Sequence, residues 1–223
     1  MSSTASLDGS YEDSMPGEES GQVFTNKDKD EPLKWIEKFE TEMVDLVDSN
    51  CTEPKHIVKT FLELKLDRES RILDVLAGTG LVAELLRSHG YVNIDAIDGR
   101  KDMLALSNKK QLYKNFYVSL LGCQYTAPIQ SDTYDVLIAS GAFAPGQLHS
   151  DAFCDLIRIT KPGGIIMWSM RTDYGPISPR FANFDAHIED LVTNGVWRHY
   201  VPRKTIKPYV HGSEGYVYTM QRI

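Results

Sequence analysis

The sequence contains no stretch approaching the roughly 20 apolar residues of a transmembrane helix, so a helical membrane span is not expected. Its first residues, MSSTASLDGS, have neither the basic start nor the apolar run of a secretory leader, and a cytoplasmic protein is expected. Cysteine is scarce: Cys51, Cys123 and Cys154 lie far apart, odd in number and without metal-like pairing. That pattern argues against a zinc site and suggests reduced thiols. His56, His149, His187, His199 and His211 share no ligand spacing either, so no metal is expected. No block of lysine or arginine is present to grip a phosphate backbone, and nucleic acid is not expected as a partner. Gly-x-Ser-x-Gly is missing too, which argues against a hydrolase although Ser140-Gly141 has the look of a nucleophile turn.

What is present is an ordinary globular mixture, 42% hydrophobic and 25% charged over 223 residues, enough for a sizeable core. The charge is unevenly placed. Residues 1–31 hold eight acids and two lysines, so nearly all of the net −7 sits there and the rest of the chain is close to neutral. Residues 1–30 are rich in Ser, Gly, Asp and Glu and cannot bury enough surface to offset their ordering entropy. They are expected to be a disordered acidic tail, with the folded domain over 31–223.

Beyond Pro32, Leu33, Ile36, Phe39, Met43, Leu46 and Val47 recur at helical spacing, as do Ile57, Val58, Phe61 and Leu62. Strands are then expected over Arg71–Leu76, Asn93–Asp98, Phe116–Leu121, Tyr134–Ser140 and Gly164–Met170, with helices between them. The first of those helices carries Leu81, Val82, Leu85 and Leu86 on one face and ends at a Gly90 cap. The fifth strand is expected to be entered through a turn at Lys161-Pro162-Gly163-Gly164. A helix over about Phe181–Thr193 and two final runs, Val196–Val201 and Gly215–Ile223, complete the chain. This alternation predicts an α/β, Rossmann-like, doubly wound and mostly parallel seven-stranded sheet with an antiparallel C-terminal strand.

The strongest chemical signal is Asp74-Val75-Leu76-Ala77-Gly78-Thr79-Gly80 at the end of the first strand. Small residues let a ligand approach the backbone, and the following helix aims its N-terminal amides at the same point. Asp98 closes the second strand, where a carboxylate can accept hydrogen bonds from both hydroxyls of a ribose. Turn and acid together point to a nucleoside ligand beyond the carboxyl ends of the strands. Gly78-Thr79-Gly80-Leu81-Val82-Ala83 also satisfies a dinucleotide pattern, which keeps an NAD-dependent oxidoreductase open. Two features favour S-adenosylmethionine. Asp74 lies inside a strand that dinucleotide folds usually keep apolar, and the chain ends in a strand pair rather than a second domain.

ILDVLAGTG, AIDGRKDML, YDVLIASGAF and KPGGIIMWSMR resemble, in order, the motif series of class I S-adenosylmethionine-dependent methyltransferases. GTGLVAELLRSHG, IDGRKDML and LIASGAFAPGQ are similar to the methyltransferase-like proteins of the Williams–Beuren syndrome chromosome region group. The resemblance covers about residues 33–223. It implies that Asp74 orients the turn or meets the cofactor's amino group, that Ala77, Gly78, Thr79 and Gly80 line its methionine portion, and that Asp98 holds the ribose. Gly99 and Met103 would flank the adenine, with Leu121 and Gly122 on its other side. Ser140, Gly141 and Ala142 would line the methyl-transfer face.

The chain departs from that series in three places. Leu76 stands where Gly or Ala is usual, Leu121-Gly122 replaces an Asp beside the adenine, and Trp35 and Phe39 match a Trp-x-x-x-Tyr pair without its hydroxyl. Trp35, Phe39, His149, Arg171 and Tyr174 are the candidate substrate contacts, whereas Asp135, at the start of the fourth strand, is read as structural. Such a reaction is chiefly alignment of a donor with a small-molecule acceptor, and no side chain stands out as catalytic. A non-catalytic binder of the same cofactor is the other alternative.

Overall fold

The computed structural model describes residues 22–25, 52–122, 127–209 and 212–223, the first four by their backbone alone. The helix expected over residues 33–47, Trp35, Phe39, Cys51, Cys123 and His211 lie outside the described residues.

A nine-stranded sheet organises the chain. Its central strands are β2 (Ile72–Val75), β3 (Ile94–Asp98), β4 (Asn115–Val118), β5 (Tyr134–Ser140) and β6 (Thr160–Arg171). They are parallel and lie in the spatial order β4-β3-β2-β5-β6. The chain winds one way from β2 to β4 and the other way from β5 to β6. The order therefore reverses between β2 and β5, and such a reversal opens a crevice beyond the carboxyl ends of the two strands. Helices α1 (Glu53–Glu63), α2 (Leu81–Ser88), α3 (Lys101–Lys109), α4 (Phe153–Ile159), α5 (Tyr174–Ile177) and α6 (Phe184–Thr193) occupy the connections and termini of this core.

Side chains alternate across the sheet and build two cores. On one face Ile72, Ile94, Val136, Ile138 and Met167 pack against Ile57 and Phe61 of α1, Val82 and Leu86 of α2 and Leu104 of α3. On the other, Leu73, Val75, Ile97, Leu137 and Trp168 meet Phe153 and Leu156 of α4 and Phe184 and Ile188 of α6. That second core is largely aromatic: Trp168 stacks on Tyr218 at 4.8 Å between ring centroids, and Phe153 meets Trp197 edge-on at 4.9 Å. Gly90 takes a left-handed φ of +88° after α2, as its place beyond the last periodic leucine suggests.

Four expectations are corrected. Nine strands replace seven, because β1 (Gln22–Thr25) and β8 (Lys204–Ile206) join the sheet. Strand β1 comes from the segment read as tail and pairs antiparallel with the outer edge of β4. Its four residues disappear in the segment's average composition, but an exposed strand edge recruits backbone regardless of side chains. Strand β8 is as short, and it pairs with β9 (Gly215–Arg222), which runs antiparallel to β6 and also holds β7 (Trp197–His199). The expected turn at residues 161–164 is instead a register break inside one long strand: Tyr134 faces Thr160, and the next paired residues are Val136 and Ile165. Finally, Cys154 is disulfide-bonded rather than a reduced thiol, a proximity that spacing along the chain does not reveal.

Candidate functional site

The turn after β2 is shaped by three consecutive demands on its backbone. Leu76 adopts a φ of +51°, a left-handed conformation that costs a non-glycine residue roughly 1 to 3 kcal/mol. The strain turns its side chain back onto the core beneath the second face, away from the crevice. Gly78 follows at φ +53°, and a Cβ added there would find nothing nearer than the Leu76 carbonyl oxygen at 3.9 Å. Its outer side is open. Gly80, at φ +92°, is glycine for a different reason: a Cβ would come within 2.8 Å of Leu112 Cδ1 and 3.3 Å of Ser107 Cβ. Gly78 therefore offers room to a ligand, while Gly80 seats α2 against the loop after α3. Thr79 is half-buried between them, and Ala77 is buried with its amide donating to the Ile97 carbonyl at 3.2 Å.

Asp98 ties the turn to the end of β3. Its Oδ2 accepts from the Gly78 amide at 2.9 Å and its Oδ1 from the Arg100 amide at 2.8 Å. Burial pushes its carboxyl above the usual range, against those two amides. The Arg100 guanidinium is engaged by Asp102. Each Asp98 oxygen keeps a lone-pair direction for a further donor, so the acid is held in place without being used up.

Asp74 is 1% exposed and accepts from the Tyr113 hydroxyl at 2.6 Å. Burial, with a smaller contribution from the Asp98 charge, raises its pKa to about 8, so at neutral pH it is largely a protonated acid. This places Asp74 under the turn as a support for it, with Tyr113 as a partner that the sequence reading did not identify.

The remaining residues fall into two groups. Toward the β3 and β4 ends, Gly99 is exposed and Met103 half-buried. Leu121 and Gly122 are both buried, with Leu121 in the core. The apolar side chain left on the open side is its neighbour Leu120, 40% exposed and 2.8 Å from a Cβ built on Gly99. Alternation past the strand end explains the exchange, and one leucine cannot be told from the next without the register.

Toward the β5 and β6 ends, Ala142 is buried and Gly141 takes a φ of +64°. Ser140 Oγ is buried without a hydrogen-bond partner. The Gly141 amide donates to Ser169 Oγ at 3.1 Å, and the Glu53 carboxylate of α1 lies against Gly141. Arg171 makes two hydrogen bonds to Asp173, and its guanidinium stands 5.6 Å from the Tyr174 ring centre. His149 is turned to Arg180, 3.2 Å from its guanidinium, and packs on Phe181. Asp135 is structural as expected, accepting from the Arg71 amide and from Lys161.

Sequence reasoning missed Glu53, Ser169 and Tyr209 on this side. Ser169 carried a signal, as the polar residue within the apolar run GIIMWSM. Glu53 has the ordinary appearance of an acid in a first helical turn, and Tyr209 lies in an irregular segment. Among the described residues no cluster of acids, cysteines or histidines suited to a metal occurs.

Comparison with known proteins agrees with this geometry. Residues 73–168 match a family model described as a methyltransferase domain. Human methyltransferase-like protein 27 is 34% identical over 126 residues, which cover 56% of this chain and 50% of that protein. The match thus spans about half the length of that relative. A SAM-dependent methyltransferase from Aquifex aeolicus superposes with a TM-score of 0.55 at 19% identity, over 82% of this chain and 98% of its own. The CurJ carbon methyltransferase superposes with a TM-score of 0.60 at 16% identity, over 84% of this chain and 59% of its own. These likenesses give the chain the Rossmann-like fold of class I methyltransferases, a mostly parallel sheet with an antiparallel C-terminal strand, and residues 73–168 resemble a methyltransferase domain.

Proposed function

We propose that this protein is an S-adenosylmethionine-dependent methyltransferase acting on a small-molecule acceptor. The observation that carries the reading is the pairing of Gly78 with Asp98: an open glycine whose amide is held by a buried acid, at the reversal point of a parallel sheet. The residues present suit the cofactor. Open space at Gly78 admits its amino-acid portion, the spare lone pairs of Asp98 suit ribose hydroxyls, and the unpartnered Ser140 hydroxyl closes β5. Leu120, against Gly99, supplies an apolar wall for the adenine, with Met103 as a second.

When bound, the cofactor supplies an electrophilic methyl group on a sulfonium. The protein's part is to bind, orient and exclude water, which this site does through fixed backbone and buried acids. The near-neutral charge outside the first 31 residues supports a small acceptor rather than nucleic acid. The wording of GTGLVAELLRSHG and LIASGAFAPGQ supports placement with the Williams–Beuren chromosome-region methyltransferase-like group.

Calorimetric titration with S-adenosylhomocysteine, run beside NAD, tests the reading. Binding of the first should stabilise the fold by about 2.7 kcal/mol at 100 times its dissociation constant. Binding of NAD alone would turn the site into that of an oxidoreductase.

A further inference from the structure

The amino end of the sheet holds a cavity, on the side away from the glycine turn. Its volume is about 310 Å³, and it lies between the segment that joins α1 to β2 and the segment that joins α2 to β3. Leu62, Lys65, Leu66, Arg68, His89 and Tyr91 line it, three bases and no acid. Among the described residues, neither Lys65 nor Arg68 has an ion pair or a side-chain hydrogen bond. The acids of the neighbourhood are occupied elsewhere. Asp67 accepts from the Glu69 amide at 2.9 Å, Glu69 from the Asn93 side chain at 3.2 Å, and Glu63 is paired with Lys204.

The backbone sets these bases in place. Lys65 follows α1 at a φ of +52°, its amide donating to the Leu62 carbonyl at 3.2 Å, where a helix end usually carries glycine. A lysine there is strained, and such strain gathers at ligand clamps. Gly90 makes room for the second base: a Cβ on it would come within 2.9 Å of Arg68 Nη1 and 3.6 Å of Arg68 Cδ, so the arginine lies along the Gly90 backbone. His89 Nδ1 is 2.9 Å from the Leu85 carbonyl, which only accepts, so Nδ1 donates and Nε2 is the ring nitrogen left for a ligand. The apolar wall is equally fixed. Tyr91 is 4% exposed, its ring edge-on to Phe61 at 4.9 Å and its hydroxyl donating to the Leu66 carbonyl at 2.9 Å.

Basic side chains complement the carboxyl ends of helices wherever they occur. That role explains neither the cavity nor a lysine in a glycine conformation. A planar guanidinium, an ammonium and an imidazole around one cavity suit a tetrahedral oxyanion of double charge, and Leu62 and Leu66 suit a small organic group attached to it.

We propose that this cavity binds a small phosphate monoester, at the opposite end of the sheet from the site described above. It shares no residue with that site, so the proposal stands apart from the methyltransferase reading.

Calorimetric titration of the full chain at low salt tests it, with phenyl phosphate, inorganic phosphate and benzoate as probes of wild type, Arg68→Gln and Lys65→Gly. Wild type should bind phenyl phosphate about tenfold or more tightly than benzoate, through the second charge and the extra oxygens. It should prefer phenyl phosphate to inorganic phosphate by about threefold, through the apolar wall. Each substitution should weaken phenyl phosphate by about tenfold. Lys65→Gly should at the same time raise the denaturation midpoint, because glycine relieves the positive φ. That pairing separates a lost ligand contact from a lost fold. S-adenosylhomocysteine affinity should stay within about twofold in both variants, since the two sites are remote. The proposal is overturned by wild type that shows no saturable binding of phenyl phosphate, by equal affinity for benzoate or inorganic phosphate, or by variants that bind as wild type does.

Discussion

The two ends of the central sheet both carry buried acids and treat them in opposite ways. At the amino end Asp95 is 2% exposed and fully engaged. Arg71 binds it through Nε and a terminal nitrogen, Tyr134 donates at 2.8 Å, and Asn115 donates through both its amide and its side chain. Asp135, nearby, is closed off by the Arg71 amide and Lys161. At the carboxyl end Asp98 is held by two amides and Asp74 by a tyrosine, and burial raises both their pKa values. One end satisfies its polar groups in full and so contributes to stability. The other leaves acceptor capacity on Asp98 and open space at Gly78, which is where the proposed cofactor site lies.

The sharpest way to break this comparison is to exchange the consequences of the two acids on β3. Asp95→Ala takes the shared acceptor from the buried Tyr134 hydroxyl, the half-buried Asn115 and the part-exposed Arg71, and should cost about 2 to 4 kcal/mol of stability. Urea unfolding measures that loss, and S-adenosylhomocysteine affinity of the folded fraction should stay within about threefold. Asp98→Ala should do the reverse. It removes charge-assisted acceptors facing the ligand, worth about 2 to 3 kcal/mol or roughly 30- to 150-fold in affinity. A stable, fully binding Asp98→Ala would place the nucleoside elsewhere.

Titration sharpens the contrast further. Folding raises the Asp74 pKa from 3.8 to about 8, so over that range the native state holds a proton that the unfolded chain has released. Its stabilisation is complete below the unfolded value and fades as pH climbs toward 8, with a slope of at most about 1.4 kcal/mol per pH unit. Asp74→Asn keeps the uncharged shape and should flatten the dependence of Tm on pH between about 5 and 8. Asp98, whose carboxyl burial also raises, should contribute a residual slope of the same sign. An unchanged pH profile would mean that Asp74 is ionised in the native protein.

The smallest effect is expected at the sheet's edge, away from both ends. Deleting residues 1–21 should change stability by no more than about 0.5 kcal/mol, because that stretch is acidic and poor in apolar side chains. Extending the deletion through residue 30 removes β1 from the edge of β4 and should cost about 1 to 2 kcal/mol in backbone pairing. Denaturation midpoints of the two truncated chains separate the cases.

Periodicity determined much of this molecule before any coordinate. The alternation of short apolar runs with helical spacing placed all five parallel strands within a few residues, and β5 at its observed bounds. The glycine turn, Asp98 and the Gly90 cap were legible because each is a local demand: a positive φ, an acid at a strand end, a helix stop. Contacts between distant segments were decided by the tertiary structure alone. Nothing near Asp95 in the sequence shows that Arg71, Asn115 and Tyr134 converge on it. Choosing Leu120 over Leu121 for the open side required the strand register, and β1 and β8 required a free edge to pair with. The ends of β5 and β6 show the limit most clearly, since Glu53, Gly141, Ser169 and Tyr209 come from four separated stretches of chain. A local pattern records the backbone conformation a residue needs, and chain winding determines which side chains it will meet.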